Sequence, residues 1–470
     1  MEHKQFKGKM AYEQYDSLQD LVSDTDDLAQ LFRDQDLDHS IWKHPDLPDV
    51  FTNWVEEQRA MRETCVIADQ SYHMQPVFIQ GPGAIDFYDY MSPSNVDKFR
   101  EQEPPTAKHL MFTDHRGHSI RDLICFNLEG DRFVTLGSPT ANNWVHYNAE
   151  TLDFDVTAEK PYTPITKNID PPEFRFEVQG PTAMDIMDEV TDGEMPRISF
   201  FEMDMITING HELYALGHGM AGTPGIEVFG DFDLHDEIKG AILEAGQDHG
   251  LLELGSSVYK TGAIESGWLP FPVPAVYDSE EMREYREWLD ADMVEGRMSI
   301  GGSYKPDNIE DYYLDPFQRN LGRLIDWDGD FIGKEGLKEK QENQTREIVT
   351  YVWDDEDFID IFASLVREGE TYKVLDLPDP MRRWSKAHYD RVEKDGEIVG
   401  LSNWPGYLYP NREMLAVGVI DKEYAEPGTK ATLIWGEEGS KKQKVERHVE
   451  KEVEVTVAPV PYADVGRRDL

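Results

Sequence analysis

The spacing of apolar positions changes several times along this chain, and each change predicts an element. In Ser17–Phe32 they recur every three or four residues, the spacing of an amphipathic helix packed on the body of the protein. Trp54–Thr64 reads as a second helix, and Cys65–Met74 as a strand entering a polar loop. An internal echo follows. Val77-Phe-Ile-Gln-Gly-Pro-Gly-Ala84 leads into Ile85-Asp-Phe-Tyr-Asp-Tyr-Met, and Phe176-Glu-Val-Gln-Gly-Pro-Thr-Ala183 into Met184-Asp-Ile-Met-Asp-Glu-Val. Each unit predicts a strand, a Gly-Pro turn and an amphipathic helix, with Pro82 and Pro181 pre-setting the turn. Two copies predict a duplicated α+β unit around a pseudo-symmetric cleft, since a solenoid needs three or more repeats.

After each unit polar and apolar residues alternate, through Leu110–Leu136 and again through Met205–Phe229, as in antiparallel strands with one wet face. Leu234–Gly250 predicts another helix. From about residue 345 the texture becomes short strands and turns, among them Thr345–Val352, Leu415–Ile420, Ala431–Trp435 and Glu452–Ala458. That pattern predicts a small all-β domain, with its boundary near Lys340. The expected division is an N-terminal extension (residues 1–50), a body of two pseudo-repeated α+β units (51–340) and an all-β domain (341–470).

Composition narrows the function classes. At 470 residues, 39% of them apolar, the chain is long enough for more than one core. Its 93 acidic against 46 basic residues give a net charge of −47, a field that repels nucleic acid and anionic membrane surfaces. The acid is spread along the chain instead of gathered in a tail. This is the expected signature of a salt-loving source, because the Debye length falls to about 3 Å at 1 M salt. Most Asp and Glu are therefore expected on the solvated surface. Two cysteines, Cys65 and Cys125, make neither a disulfide framework nor a metal-ligand cluster, so no metal is expected. With no apolar leader and no run of ~18 apolar residues, a soluble cytoplasmic protein is expected.

Candidate chemistry concentrates in Gly255–Tyr277, where glycines and prolines are interleaved with Tyr259, Lys260, Glu265, Trp268 and Tyr277. Such a stretch is either a surface connection with buried aromatics or a loop presenting large polar-tipped side chains. Gly217–Phe229 is glycine-rich ahead of a strand, the wrong order for a dinucleotide fingerprint. Within it Glu227 is flanked by Ile226 and Val228, so on a strand it faces away from both. That ordinarily means solvent; facing a pocket, the carboxylate could instead accept two N–H bonds from an amidine-like edge. His73 follows a strand, and Arg121 adjoins Asp122. In a strand those two neighbours point to opposite faces, so one of them is expected inside, and an inward Arg needs an anion. There is no nucleophile elbow, P-loop, His-Glu-x-x-His or Cys-x-x-Cys.

Taken together, the paired Gln-Gly-Pro-x-Ala units, Gly225-Ile-Glu-Val, Ile264-Glu-Ser-Gly and Asp330-Phe-Ile-Gly-Lys-Glu-Gly-Leu337 resemble the aminomethyltransferase (glycine cleavage T-protein) family. The likeness covers roughly residues 50 to 465. Within that family Asp69-Gln-Ser-Tyr-His-Met74, Gly217–Glu227, Glu265–Tyr277, Ile309-Glu-Asp-Tyr-Tyr313 and Pro459-Val-Pro-Tyr462 look like the tetrahydrofolate-dependent O-demethylases of vanillate and syringate type. The resemblance implies a folate-binding body with a C-terminal β-barrel, and methyl transfer from a methoxylated aromatic acid to tetrahydrofolate. It further implies that Glu227 holds the pterin, Trp268 helps form the folate pocket and Tyr259 is the catalytic tyrosine, with His73 and Arg121 lining the substrate site. Arg121 stands where T-proteins carry a catalytic Asp, which favours an anionic substrate. Tyr72 departs from the second His expected in that branch. Aminomethyl transfer, demethylation of a sulfonium or N-methyl compound, and folate binding without turnover are the alternatives on the same scaffold.

Overall fold

Alternating stretches and Gly-Pro turns become two facing sheets in the computed structural model of the chain, which describes residues 10–36, 47–72, 74–160, 170–220, 222–381 and 387–463. The body contains β1 (Cys65–Asp69), β2 (Gln75–Gln80), β3 (Thr106–Thr113), β4 (Ser119–Glu129), β5 (Arg132–Gly137) and β6 (Thr157–Glu159). It continues with β7 (Glu173–Gln179), β8 (Met203–Ile208), β9 (His211–Gly217), β10 (Gly225–Asp231) and β11 (Leu251–Leu254).

The first sheet has the order β11-β1-β7-β10-β9-β8 and the second β3-β4-β5-β2-β6. Both halves share one topology. A strand (β2 or β7) is followed by a turn and a helix (Ala84–Met91 or Ala183–Val190), then a three-stranded meander whose last strand returns antiparallel to the first. The duplication expected from the sequence is thus a duplication of strand order. The turn demands glycine in both copies. Gly81 and Gly180 have φ of +147° and +138°, and a Cβ on Gly180 would lie 2.5 Å from the Thr64 carbonyl oxygen.

The two sheets pack inner face to inner face through Ala107, Phe126, Val134 and Leu136 of one and Leu216 and Phe229 of the other. Their outer faces bury against helices, with Ala84–Met91 and Pro139–Thr151 on the second sheet and Ala183–Val190 and His235–Ala245 on the first. The face that alternation marks as polar is therefore enclosed between two sheets.

Two expected helices are interrupted. Ser17–Phe32 forms two short helices, Leu18–Ser23 and Leu28–Asp34. Ser17 and Asp27 each accept a backbone N–H at an N-terminus, so the acidic spacer between them starts a second helix and does not continue the first. Leu234–Gly250 is α-helical only over His235–Ala245; a 3₁₀ turn, Gly246–His249, ends at left-handed Gly250.

The polar stretch around Lys340 belongs to the helix Lys334–Glu342, just ahead of a closed antiparallel barrel. Its strands are β12 (Arg346–Trp353), β13 (Asp390–Lys394), β14 (Glu397–Leu408), β15 (Glu413–Asp421), β16 (Lys430–Trp435) and β17 (Lys451–Ala458), in the order β12-β15-β14-β13-β16-β17. Closure removes every free edge. The barrel docks on the chemistry-bearing loop: Trp404 Nε1 donates to the Lys260 carbonyl at 3.2 Å, Lys260 pairs with Asp379 at 2.8 Å, and Trp404 packs on Phe271. An α+β body carrying a C-terminal barrel is the expected architecture. Among the described residues no helix is long and apolar enough to cross a membrane.

Candidate functional site

On β7 the apolar residues Phe174, Phe176 and Val178 bury in the helix-side core, so Arg175, Glu177 and Gln179 take the inner face. On β10 Ile226 and Val228 do the same, which turns Glu227 inward beside Glu177. Of these side chains Glu227 borders a cavity of about 280 Å³ between the sheets, with Glu177 beside it one strand over. Glu227 lines it together with Gln70, Met74, Ile124 and Leu136, and the loop Gly255–Tyr277 closes it with Tyr259, Ser266, Trp268, Pro270 and Phe271.

One wall is an anionic cluster with its cations built in. Arg175 Nη1 donates to Glu227 Oε1 at 2.5 Å, and its guanidinium lies over Phe229 and Phe126, bridging the sheets. Glu177 accepts from Gln70 Nε2 and from the Met220 backbone N–H (3.1 Å), with His218 Nδ1 at 3.7 Å. Burial pulls the His218 pKa down, but Glu177 outweighs it and the net direction is upward. Gln179 holds the glycine-rich segment by exchanging bonds with the Met220 carbonyl (2.6 Å) and N–H (2.7 Å). Gln70 Nε2 also donates to the Tyr259 hydroxyl oxygen at 3.3 Å. Burial first, then the charges of Glu177 and Glu227, push the Tyr259 phenol well above its ordinary value.

The facing wall is organised by Asp122 on β4. Its Oδ2 accepts from His109 Nε2 at 2.8 Å and from Trp268 Nε1 at 2.9 Å, and its Oδ1 from Arg319 Nη2. Burial alone would raise this carboxyl, yet Arg319 and His109 hold it far below the usual carboxylate range.

Of the residues expected from the sequence, Glu227, Tyr259 and Trp268 border the same cavity. His73 lies outside the described residues; Met74 next to it lines the cavity. Arg121 is placed differently from the expectation. Asp122 and Ile124 line the cavity and Phe126 packs between the sheets, whereas Arg121 is not among the lining residues and falls with Cys125 on the other side of β4, so Asp122 is the member of the pair that lines the cavity. Arg121 sits one layer back. Its Nη1 donates to the Pro270 carbonyl at 3.1 Å, its guanidinium lies over Phe271, and its Nε has no hydrogen-bond partner among the described residues. Burial, with Arg319 nearby, pulls it down to about 10 against the opposing pull of Asp122.

Sequence reasoning missed Gln70, Arg175, Glu177, His109 and Asp122 as parts of the site. The period-two polar run Arg175, Glu177, Gln179 opposite Phe174, Phe176 and Val178 was the signal for the first wall. Nothing in the sequence signals the 197-residue separation that joins Asp122 to Arg319.

Comparison with known proteins places the chain by sequence and by fold. Residues 28–272 match the family model described as the GCVT N-terminal domain. The chain is 35% identical to a syringate O-demethylase from a Sphingobium species, across 96% of this chain and 97% of that protein. It is 28% identical to a sesamin methylene transferase from a Sinomonas species, across 90% and 92% of the two chains. An aminomethyltransferase of Staphylococcus carnosus is 26% identical, across 81% and 86%. The glycine cleavage system aminomethyltransferase T from Bartonella henselae shares the fold, with a TM-score of 0.60 at 14% identity, covering 92% of this chain and 95% of that one.

Proposed function

The chain belongs to the aminomethyltransferase family defined by the GCVT N-terminal domain, and on that premise we propose that it is a tetrahydrofolate-dependent methyltransferase, an O-demethylase of methoxylated aromatic acids. The observation that carries the reading is the meeting of Glu227 and Tyr259 on one cavity. The first is an anchored acceptor and the second a hydroxyl that keeps its proton.

The residues present fit a reduced pterin. The cavity is near the small end of ligand pockets, which run from about 300 Å³ upward. Its apolar surfaces, Leu123, Ile124, Leu136 and Phe271, suit flat rings. Glu227 is 1% exposed and fixed by Arg175 through one oxygen, so its orientation is set before any ligand arrives. A carboxylate so held matches the N–H donors of a pterin's amidine-like edge. Trp268, tied to Asp122, presents a fixed indole to the same space. When bound, tetrahydrofolate would supply the amine nitrogen that accepts the methyl group, and the proton shed by that nitrogen would restore the Tyr259 hydroxyl.

The protein's contribution is orientation and one proton. Methyl transfer needs an in-line approach, which the protein supplies by holding donor and acceptor in fixed positions. Tyr259 donates to the ether oxygen and passes its proton as the methyl–oxygen bond breaks, so the leaving group departs as a phenol. Gln70, donating to the tyrosine oxygen, stabilises the negative charge left there. The raised pKa keeps the hydroxyl protonated until the ether oxygen has gained charge. His73 and Arg121 remain the candidates for the donor's other polar groups. Arg121 reaches a substrate carboxylate only if Phe271 moves aside.

Incubation with tetrahydrofolate and a panel of methoxybenzoates, dimethylglycine and sulfonium compounds tests the reading. Methyl-tetrahydrofolate together with the demethylated phenol is the expected outcome. Methyl-tetrahydrofolate formed only from the nitrogen or sulfur compounds, or from none, overturns it.

A further inference from the structure

We propose that Gln70, held from behind by Glu177, accepts the N–H of the amine that takes the methyl group, an assignment that rests on the tetrahydrofolate reading. Gln70 is 2% exposed and borders the cavity; Glu177 is buried one layer behind it. The orientation of the amide is fixed. A carboxylate only accepts, so the end turned to Glu177 Oε2 is the NH₂, which also donates to the Tyr259 hydroxyl oxygen at 3.3 Å. Glu177 is itself anchored, because its other oxygen accepts the Met220 backbone N–H at 3.1 Å. Gln70 Oε1 is thereby left as an acceptor, and among the described residues it has no hydrogen-bond partner. A buried acceptor left unpaired in a cavity wall is a place for a ligand's donor.

Which donor follows from what the other residues take. Glu227 takes the amidine-like edge of the pterin, which leaves the N–H groups of the reduced ring. Tyr259 works at the ether oxygen, and the methyl group travels in line from that oxygen to the amine. The amine therefore comes to the Tyr259 side of the cavity, where Gln70 stands. Accepting its N–H turns the nitrogen lone pair away from Gln70 and toward the methyl group. The pair also meets the charge that develops. As the methyl–oxygen bond breaks and the methyl–nitrogen bond forms, Tyr259 gives its proton to the oxygen and positive charge builds on the nitrogen. That charge strengthens the bond to Oε1, and the Glu177 carboxylate polarises the amide in the same sense. The nitrogen's proton then leaves and restores the tyrosine hydroxyl. An interaction that is stronger in the transition state than before it lowers the barrier.

Titration calorimetry with tetrahydrofolate and with 5-deazatetrahydrofolate, which carries CH₂ in place of the amine, tests the assignment. Wild-type protein should bind the amine about three- to tenfold more tightly, the worth of one uncharged hydrogen bond. In Gln70→Met the two dissociation constants should come within about twofold of each other. A glutamine that only braced Tyr259 would lower turnover and leave that ratio alone. A preference that survives in Gln70→Met, or a wild type without one, therefore overturns the proposal. Should Gln70→Met not fold, because Glu177 has lost a donor, adding Glu177→Gln removes the buried charge and the same comparison applies. Glu177→Gln alone keeps an oxygen for Gln70 and should slow single-turnover methyl transfer by about tenfold or more. Losing that charge makes Tyr259 easier to ionise, so the slowing is not a weaker acid; unchanged or faster transfer overturns the part given to Glu177. Wild-type protein that binds neither compound overturns the tetrahydrofolate reading as well. The amine preference without methyl transfer from any methoxybenzoate supports this assignment and overturns the O-demethylase reading alone.

Discussion

Glu177 and Glu227 stand opposite one another on the adjacent antiparallel strands β7 and β10, two carboxylates each 1% exposed. Like charges placed directly across a sheet repel, and burial strengthens the repulsion. The fold answers with separate partners. Arg175 takes Glu227; Gln70, His218 and the Met220 N–H take Glu177. The consequence is a strong negative potential at Tyr259, directed by groups that cannot move away.

Removing Arg175 tests that balance. Arg175→Met leaves Glu227 as an uncompensated buried anion and should cost about 3–5 kcal/mol of stability in denaturant titration. Adding Glu227→Gln to that variant should recover part of the loss, because the charge needing compensation is gone. Alone, Glu227→Gln should weaken tetrahydrofolate binding by about 2 kcal/mol, since a charged acceptor becomes an amide with a donor facing donors. A double variant no more stable than Arg175→Met, or unchanged folate affinity in Glu227→Gln, would contradict the pairing or the pterin role respectively.

Tyr259→Phe keeps the ring and removes the proton. Turnover should fall by about two to four orders of magnitude, with folate affinity nearly unchanged. The pH profile adds an independent check. An acid works below its pKa, and the shift at Tyr259 is upward, so the activity limb from its ionisation moves above pH ~10, where free tyrosine titrates. Wild-type kcat should therefore show no decline from this group between pH 8 and about pH 10. Near wild-type turnover in the Phe variant ends the mechanism.

Much of this was legible in the chain. The two Gln-Gly-Pro-x-Ala segments announce the duplication because each encodes the same local requirement, a glycine at unusual φ ahead of a helix. The loop Gly255–Tyr277 does carry Tyr259, Trp268 and Phe271 into the cavity. Glu227 was ambiguous because alternation says only that it opposes Ile226 and Val228, and the solvent reading assumed that the polar face of an antiparallel sheet is wet. Here a second sheet covers it. Arg121 and Asp122 show the same limit, since period two separates them without saying which side the cavity occupies. Asp122 meets Arg319 and Trp268 only through tertiary packing, and no local pattern encodes that.

Salt should act on the surface and leave the inner network largely alone. With 47 excess negative charges the folded chain repels itself at low ionic strength, and molar salt screens that repulsion. The melting temperature should rise between dilute buffer and roughly 2 M KCl, where the Debye length is below about 3 Å. The stability difference between wild type and Arg175→Met should change much less over the same range, because a buried pair is poorly screened. A flat or falling melting temperature would contradict the high-salt reading of the composition.

Arg121 offers a test of how an aromatic acid would be held. Its position behind Phe271, with one hydrogen bond to the Pro270 carbonyl and Nε unsatisfied, leaves donors for a substrate carboxylate if the phenylalanine turns away. In that case Arg121→Ala should raise KM for methoxybenzoates by about tenfold or more, the worth of a charged hydrogen bond, and leave the methyl esters unaffected. Phe271→Ala, which opens the path, should lower KM for the acids relative to the esters. The competing role is support of the loop wall. Arg121→Ala would then let Pro270 and Phe271 shift, and acid and ester would lose activity together. The acid-to-ester ratio therefore separates recognition of the substrate's charge from packing of the cavity wall, whatever the absolute loss.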